Sequence, residues 1–235
     1  MNKQSLPLRG KKFTLDMAVS GRVLACLNLL KQHKLRGKTL VDVGSSFGWL
    51  EKELLDIEKT IKIVGVEPDR KAVAFANKNI KNAKFLVGDA LKLPVKENFA
   101  DIVTLFDVIE HVPTNTERQA LEEVNRVLKH NGLLFLSTPN STFFMNLLDP
   151  AFYFGHRHYK TSQLTSFLKK SGFKIVKSTI KGGYWFSLYL IWLYITKRIT
   201  GNFLPRNKFL EKKEAGEFLS NKLGLHTHFI VAQKV

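Results

Sequence analysis

Cysteine is nearly absent: Cys26 is the single one in 235 residues, so the chain can form no internal disulfide and no zinc site built on thiolates. That usage fits a reducing, cytoplasmic setting. Acidic residues are also scarce, 20 against 37 lysines and arginines, and the formal charge of +17 draws the chain toward nucleic acid, phosphorylated substrates or an acidic membrane surface. No apolar stretch of the signal-peptide kind follows Met1, so export is not expected. Internal repeats and low-complexity tracts are missing too, which argues against a solenoid or a disordered tail. What is present, 44% hydrophobic and 24% charged residues, is the balance of one globular domain with a full core.

From Thr39 to Leu136, short β-branched apolar runs alternate with longer helix-patterned stretches, the arrangement of βαβ units around a parallel sheet. Strands are expected at Thr39–Gly44, Lys62–Glu67, Lys84–Asp89, Asp101–Asp107, Gly132–Thr138, Phe173–Ile180 and His226–Lys234. Several are almost continuously apolar, as strands covered on both faces should be. Helices are expected from Ala18 to His33, from the cap Asp69 to about Lys81, from Thr114 to about Lys129, and from Thr161 to Ser171. The chain thus divides into a leading helical segment (1–38), a cofactor-binding core (39–180), an insertion (181–225) and a last strand (226–235). Connections are usually a few residues long, so an insertion of this length points to function.

The stretch Thr39-Leu-Val-Asp-Val-Gly-Ser-Ser-Phe-Gly-Trp-Leu runs from strand through a glycine turn into a helix. Gly44 and Gly48 remove side chains where a ligand packs, and the first helical N–H groups favour a carboxylate or phosphate. Alone, such a turn also suits a purely structural role. Ser46 stands where a dinucleotide fingerprint needs its middle glycine, which disfavours a nicotinamide enzyme. Glu67 ends the second strand, where a carboxylate can accept both hydroxyls of a ribose, and Asp89 follows the third, within reach of an adenine amino group. Each acid by itself could be a helix cap. Asp42, Glu67 and Asp89 at three successive strand ends are better explained by a ligand, because open α/β sheets bind ligands there.

Together with Phe106-Asp-Val-Ile-Glu-His-Val, Leu128-Lys-His-Asn-Gly-Leu-Leu, Gly155-His-Arg-His-Tyr and Ser171-Gly-Phe, these motifs resemble the class I S-adenosylmethionine-dependent methyltransferases, most closely those like the ubiquinone-biosynthesis O-methyltransferases. The resemblance covers roughly Leu40 to Phe173. It implies a Rossmann-like α/β fold: a seven-stranded, mostly parallel sheet, helices on both faces and a helical insertion before the last strand. It also implies S-adenosylmethionine as cofactor. Gly44 and Gly48 would back its methionine part, Glu67 would hold the ribose, Asp89 and the Ala90 amide would read the adenine, and Phe106, Asp107 and Val108 would line the cofactor, with Asp42, Ser45 and Pro68 as further cofactor-binding residues. No metal is implied.

Methyl transfer from a sulfonium is a direct displacement, so alignment of donor and acceptor can supply on the order of 7–11 kcal/mol. A base is needed only for hydroxyl or thiol acceptors. His111, His156 and His158 are the candidates, His156 and His158 foremost, with His111, Arg157 and Tyr159 also read toward the acceptor; by the resemblance Glu110-His111 would shape the cofactor pocket, and the histidines of the loop could equally serve its structure. Arg157 could bind an acceptor phosphate or carboxylate.

Within the insertion, the segment from Tyr184 to Ile195 is uncharged, rich in Trp and Tyr, and followed by Lys197-Arg198. It is short for a bilayer span of about 20 residues and reads as interfacial, as a substrate lid or as core. Arg206, Lys208, Lys212 and Lys213 could face an anionic leaflet on the inner side of the membrane or form a solvated surface. The expected acceptor is a small or lipid-linked molecule. RNA is the rival, weakened because Asp107-Val-Ile-Glu stands where nucleic-acid amino-methylating members carry an Asn/Asp-Pro-Pro-aromatic element. A non-catalytic scaffold of the same fold is the other alternative.

Overall fold

The computed structural model describes residues 21–142, 146, 152, 155–201, 207–220 and 222–235. Seven strands form one sheet: β1 (Thr39–Val43), β2 (Lys62–Glu67), β3 (Ala83–Val87), β4 (Ala100–Phe106), β5 (Leu128–Pro139), β6 (Phe173–Lys181) and β7 (Thr227–Lys234). Their order is β3-β2-β1-β4-β5-β7-β6, with β7 antiparallel to both neighbours and the remaining pairings parallel. The Rossmann-like α/β expectation therefore holds. The order reverses between β1 and β4, the switch point where such sheets open a crevice at their carboxyl ends.

The helices are α1 (Gly21–Lys31), α2 (Trp49–Ile57), α3 (Arg70–Asn79), α4 (Glu117–Val127), α5 (Thr161–Lys170), α6 (Tyr184–Thr200) and α7 (Lys208–Leu219). Successive strand residues point to opposite faces, and both faces are buried. Val41, Val103 and Leu134 pack with Leu121 and Val124 of α4 and Leu164 and Leu168 of α5. Their neighbours Leu40, Ile102 and Phe135 pack on the other side with Leu30, Leu54, Phe186 and Phe218 from α1, α2, α6 and α7. That double coverage is why the strands read as unbroken apolar runs, each fully buried leucine or phenylalanine contributing roughly 1.5–3 kcal/mol.

Several boundaries differ from the sequence expectation. Helix α4 stops at Val127 instead of near Lys129, because Leu128 turns extended and pairs with Ala100 of β4. Strand β3 ends at Val87, leaving Asp89 in the following turn. The leading helix is seen from Gly21; residues 18–20 lie outside the described part, as does Arg206. The basic stretch after α6 contains an unforeseen helix, α7, capped by Asn207, whose side chain accepts from the amides of Phe209 and Leu210.

Helix α7 ties the insertion to the domain. Glu217 accepts from the amides of Gly183 (3.0 Å), Trp185 (2.9 Å) and Phe186 (3.0 Å), capping α6, while Glu214 accepts from Gly21 N–H (2.8 Å) at the start of α1. First-turn amides carry partial positive charge, so carboxylates are the natural caps. Phe186 and Tyr189 are buried, whereas Trp192, Ile195 and Ile199 are exposed by 38%, 50% and 78%. Tyr184–Ile195 thus buries Phe186, Ser187 and Tyr189 in the core and leaves Tyr184, Trp192 and Ile195 at the surface. Among the described residues no helix is long and apolar enough to cross a membrane.

Candidate active site

The loop after β1 folds back on β2: the amides of Gly44 and Ser45 both donate to Val66 O. Gly44 (φ +83°) cannot be replaced without strain, since a Cβ there would meet Val108 Cγ2 at 2.3 Å. Gly48 (φ +84°) begins α2, and no side chain caps it, so the first-turn amides of α2 are left to a ligand or solvent. Ser46, at the position read as a missing glycine, adopts the left-handed conformation with φ +50°. The loop keeps its turn despite the side chain.

Glu67 is fixed from two directions. Ser46 N–H donates to its Oε2 (3.0 Å) and Asp69 N–H to its Oε1 (3.1 Å), so both oxygens are oriented at the mouth of β2. Each carboxylate oxygen retains a second lone pair for a diol. Beside it, the Ser45 hydroxyl is buried and has no hydrogen-bond partner among the described residues. An orphaned donor next to an oriented carboxylate fits a polar ligand in this loop. Pro68 is exposed beyond Glu67. At the next strand end, Asp89 Oδ1 accepts from the amides of Leu91 (2.8 Å) and Lys92 (3.2 Å), and Ala90 is buried against the core.

Beneath the loop lies a buried acid pair. Thr104 Oγ1 donates to Asp42 (2.5 Å), yet burial pushes the Asp42 pKa up to about 7. Glu51, in the first turn of α2, is raised as well by burial and then by the Asp42 charge. Gly65 makes room for it: a Cβ there would lie 2.8 Å from Glu51 Oε1.

The β4 end carries a second polar cluster. Asp107 (φ +54°) accepts from Ser137 Oγ (3.0 Å) and pairs with Arg22 Nε (3.1 Å), whose guanidinium lies 5.9 Å from the centre of the Phe186 ring. Burial, followed by the Asp107 charge, drives Glu110 up to about 8, and Thr138 Oγ1 donates to it (3.0 Å). Phe106 packs with the α1 face of the core and Val108 against Gly44.

His111 meets His156 edge-on, with ring centres 4.5 Å apart. Partial desolvation and the neighbouring His156 lower the His111 pKa, favouring its neutral form. His158 Nδ1 contacts Asn146 Oδ1 (2.8 Å). His156 and His158 line an open cavity of about 530 Å³ with Asn115, Arg118, Phe152 and Gln163. Arg157 and Tyr159, expected toward an acceptor, line the same cavity and also make contacts within the protein. Arg157 donates to the carbonyls of Ile109, Glu110 and Val112 and pairs with Glu117 (2.6 Å); Tyr159, 4% exposed, donates to Ile109 O (3.1 Å). They hold the segment carrying Glu110 and His111. Among the described residues no cluster of His, Cys, Asp or Glu could hold a metal.

Sequence reasoning missed Arg22, Glu51, Thr104, Ser137 and Thr138. A charged Glu51 amid apolar α2 positions was a usable signal; Arg22 had none, its partner being far along the chain.

Residues 41–136 match the methyltransferase-domain family, and within that span lie the glycine loop, Glu67, Asp89 and the β4 end. This region is similar to a methyltransferase domain. The chain is similar to a probable S-adenosylmethionine-dependent methyltransferase of Mycolicibacterium smegmatis, 27% identical over 73% of this chain and 66% of that protein. It is also similar to a ubiquinone biosynthesis O-methyltransferase of Glaesserella parasuis (31%; 48% of this chain, 50% of that one) and to a small RNA 2'-O-methyltransferase of Arabidopsis thaliana (36%; 45% and 12%). The matches thus span at most about two thirds of these relatives' own length. A solved structure, a putative sarcosine dimethylglycine methyltransferase of Galdieria sulphuraria, shares the fold with a TM-score of 0.64 at 15% identity, covering 91% of this chain and 84% of that one. The chain is similar to S-adenosylmethionine-dependent methyltransferases, and S-adenosylmethionine is the cofactor that similarity implies.

Proposed function

We propose that this protein transfers the methyl group of S-adenosylmethionine to an oxygen of a small-molecule or lipid-linked acceptor at an anionic membrane surface on the cytoplasmic side. The observation that carries the reading is Glu67, oriented by two backbone amides beside the uncapped start of α2 and the orphaned Ser45 hydroxyl. Glu67 accepts the ribose hydroxyls, Asp89 and Ala90 face the adenine, and Gly44, Ser45 and the α2 amides hold the amino-acid end. Phe106, Asp107 and Val108 line the pocket, with Asp42 supporting the loop from below. When bound, the cofactor supplies an electrophilic methyl group on a sulfonium. His156, aided by His158, takes the acceptor hydroxyl proton, and Arg157 and Tyr159 position the wall that carries His111.

The membrane part of the reading is supported by α6. Trp192, Ile195 and Ile199 are exposed and spaced along one helical face. Arg198, Lys208 and Lys212 are exposed nearby in the sequence, each worth roughly 1 kcal/mol against an anionic leaflet. The charge of +17 also favours a second reading, RNA as acceptor.

One experiment addresses both: incubation with methyl-labelled S-adenosylmethionine and total cell extract, followed by partition of label between organic, small-molecule and nucleic-acid fractions. Label in the organic or small-molecule fraction is the expected result. Label in RNA would overturn the acceptor class, and cofactor binding without transfer would overturn the activity.

A further inference from the structure

Glu51, in the first turn of α2, is wholly buried, and so is Asp42, the acid it hydrogen-bonds beneath the glycine loop. Gly65 of β2 leaves the space that holds the Glu51 carboxyl, and the neighbouring helix residues Leu50 and Leu54 belong to the core. Few other polar groups face the pair. Thr104 of β4 donates to Asp42 (2.5 Å), Glu67 of β2 adds negative charge to both acids, and the Cys26 thiol of α1, near Asp42, is kept neutral by burial. Among the described residues no cation pairs with either acid, and neither Glu51 oxygen receives a donor from another residue. A carboxyl that accepts nothing and touches a second carboxyl is placed as the donor between them. Two such groups in a water-poor interior cannot both ionise at little cost when no cation is close. The bridge pins α2 to β1, and it also puts a removable proton under the loop.

We propose that Asp42 and Glu51 share one proton, and that its release to solvent strengthens the loop's preference for the charged methyl donor over the uncharged product. The inference rests on the cofactor reading given above. S-adenosylmethionine and S-adenosylhomocysteine differ by the methyl group and the positive charge of the sulfonium. That charge follows the amino-acid end, held by the loop and the α2 amides, by a short methylene chain. A second ionised carboxylate beneath the loop attracts the sulfonium and leaves the thioether unaffected. By reciprocity, the donor draws the proton off the pair and the product does not.

The test measures the affinities of the full chain for both compounds from pH 6 to pH 8.5. In the wild type the ratio of dissociation constants should move about fivefold in favour of the donor as pH rises. It should stay flat in Glu51→Gln. Glu110, at the end of β4, titrates in the same interval, so Glu110→Gln is the control and should keep the rise. Should Glu51→Gln fail to fold, calorimetry of the wild type and Glu110→Gln at pH 7, in two buffers of different ionisation enthalpy, decides: both should release more protons with the donor than with the product. Equal release, a flat ratio in the wild type, or an undiminished rise in Glu51→Gln would overturn the shared proton while leaving the cofactor reading intact. Binding of neither compound would overturn that reading and the inference with it.

Discussion

Arg22, on the helix that precedes the sheet, places its Nε 3.1 Å from Asp107 Oδ2 at the end of β4. The contact brings a leading element into the candidate site and balances a carboxylate in a left-handed turn. Arg22→Ala is expected to lower methyl transfer about tenfold and the thermal midpoint by a few degrees, since 1 kcal/mol shifts a domain of this size by about 2–4 °C. Arg22→Lys should recover part of the rate. The radiolabel assay and a thermal melt check both; a wild-type rate in the alanine variant would remove the pair from the site.

Glu67→Ala should weaken S-adenosylmethionine binding more than tenfold, because a charge-assisted pair of hydrogen bonds to the ribose is lost. Glu67→Gln should lie between. Equilibrium dialysis with labelled cofactor measures this directly, and unchanged affinity would refute the ribose role.

Stability should respond to pH through Glu110. Its pKa in the folded chain, about 8, lies above the ordinary 4.5, so the folded state holds the proton more tightly than the unfolded one. The favourable contribution is complete below about 4.5 and is lost as pH rises toward 8. The melting advantage of wild type over Glu110→Gln should therefore shrink steadily across that interval. A difference constant from pH 5 to 8 would show that Glu110 is not held neutral.

Glu217→Ala removes the carboxylate that receives three amides at the start of α6. A loss of about 2 kcal/mol in unfolding free energy is expected, at the upper end for a helix cap. Urea denaturation gives the value, and a change under 0.5 kcal/mol would mean water replaces the cap at little cost.

Changing Trp192, Ile195 and Ile199 together to serine should abolish sedimentation with vesicles rich in phosphatidylserine while leaving cofactor affinity intact. Undiminished sedimentation would remove α6 as the contact.

Much of the architecture was written locally. Strands β1, β2 and β4 are short apolar runs ending in Gly or an acid, so periodicity and turn chemistry mark them within a residue or two. The placement of Glu67 at the end of β2 and of Asp89 just past β3 was legible because strand ends recur at fixed places in such sheets. Helix α7 was not, since its apolar residues fall on no single face and its role rests on Glu214 and Glu217 meeting distant amides. Arg157 illustrates the same limit: it lines the cavity with its flanking histidines, but its bonds to the carbonyls of Ile109, Glu110 and Val112 were not legible because those come from another segment.

Glu214 and Glu217 sit one helical turn apart and serve two different helices, α1 and α6. The insertion is therefore not a module that can be exchanged by itself. A chimera that imports residues 181–225 from a relative would leave Gly21 N–H without its acceptor and shift the helix bearing Arg22. The insertion could then be transplanted only by moving α1 with it as one unit, which ties the divergence of two segments far apart in the chain.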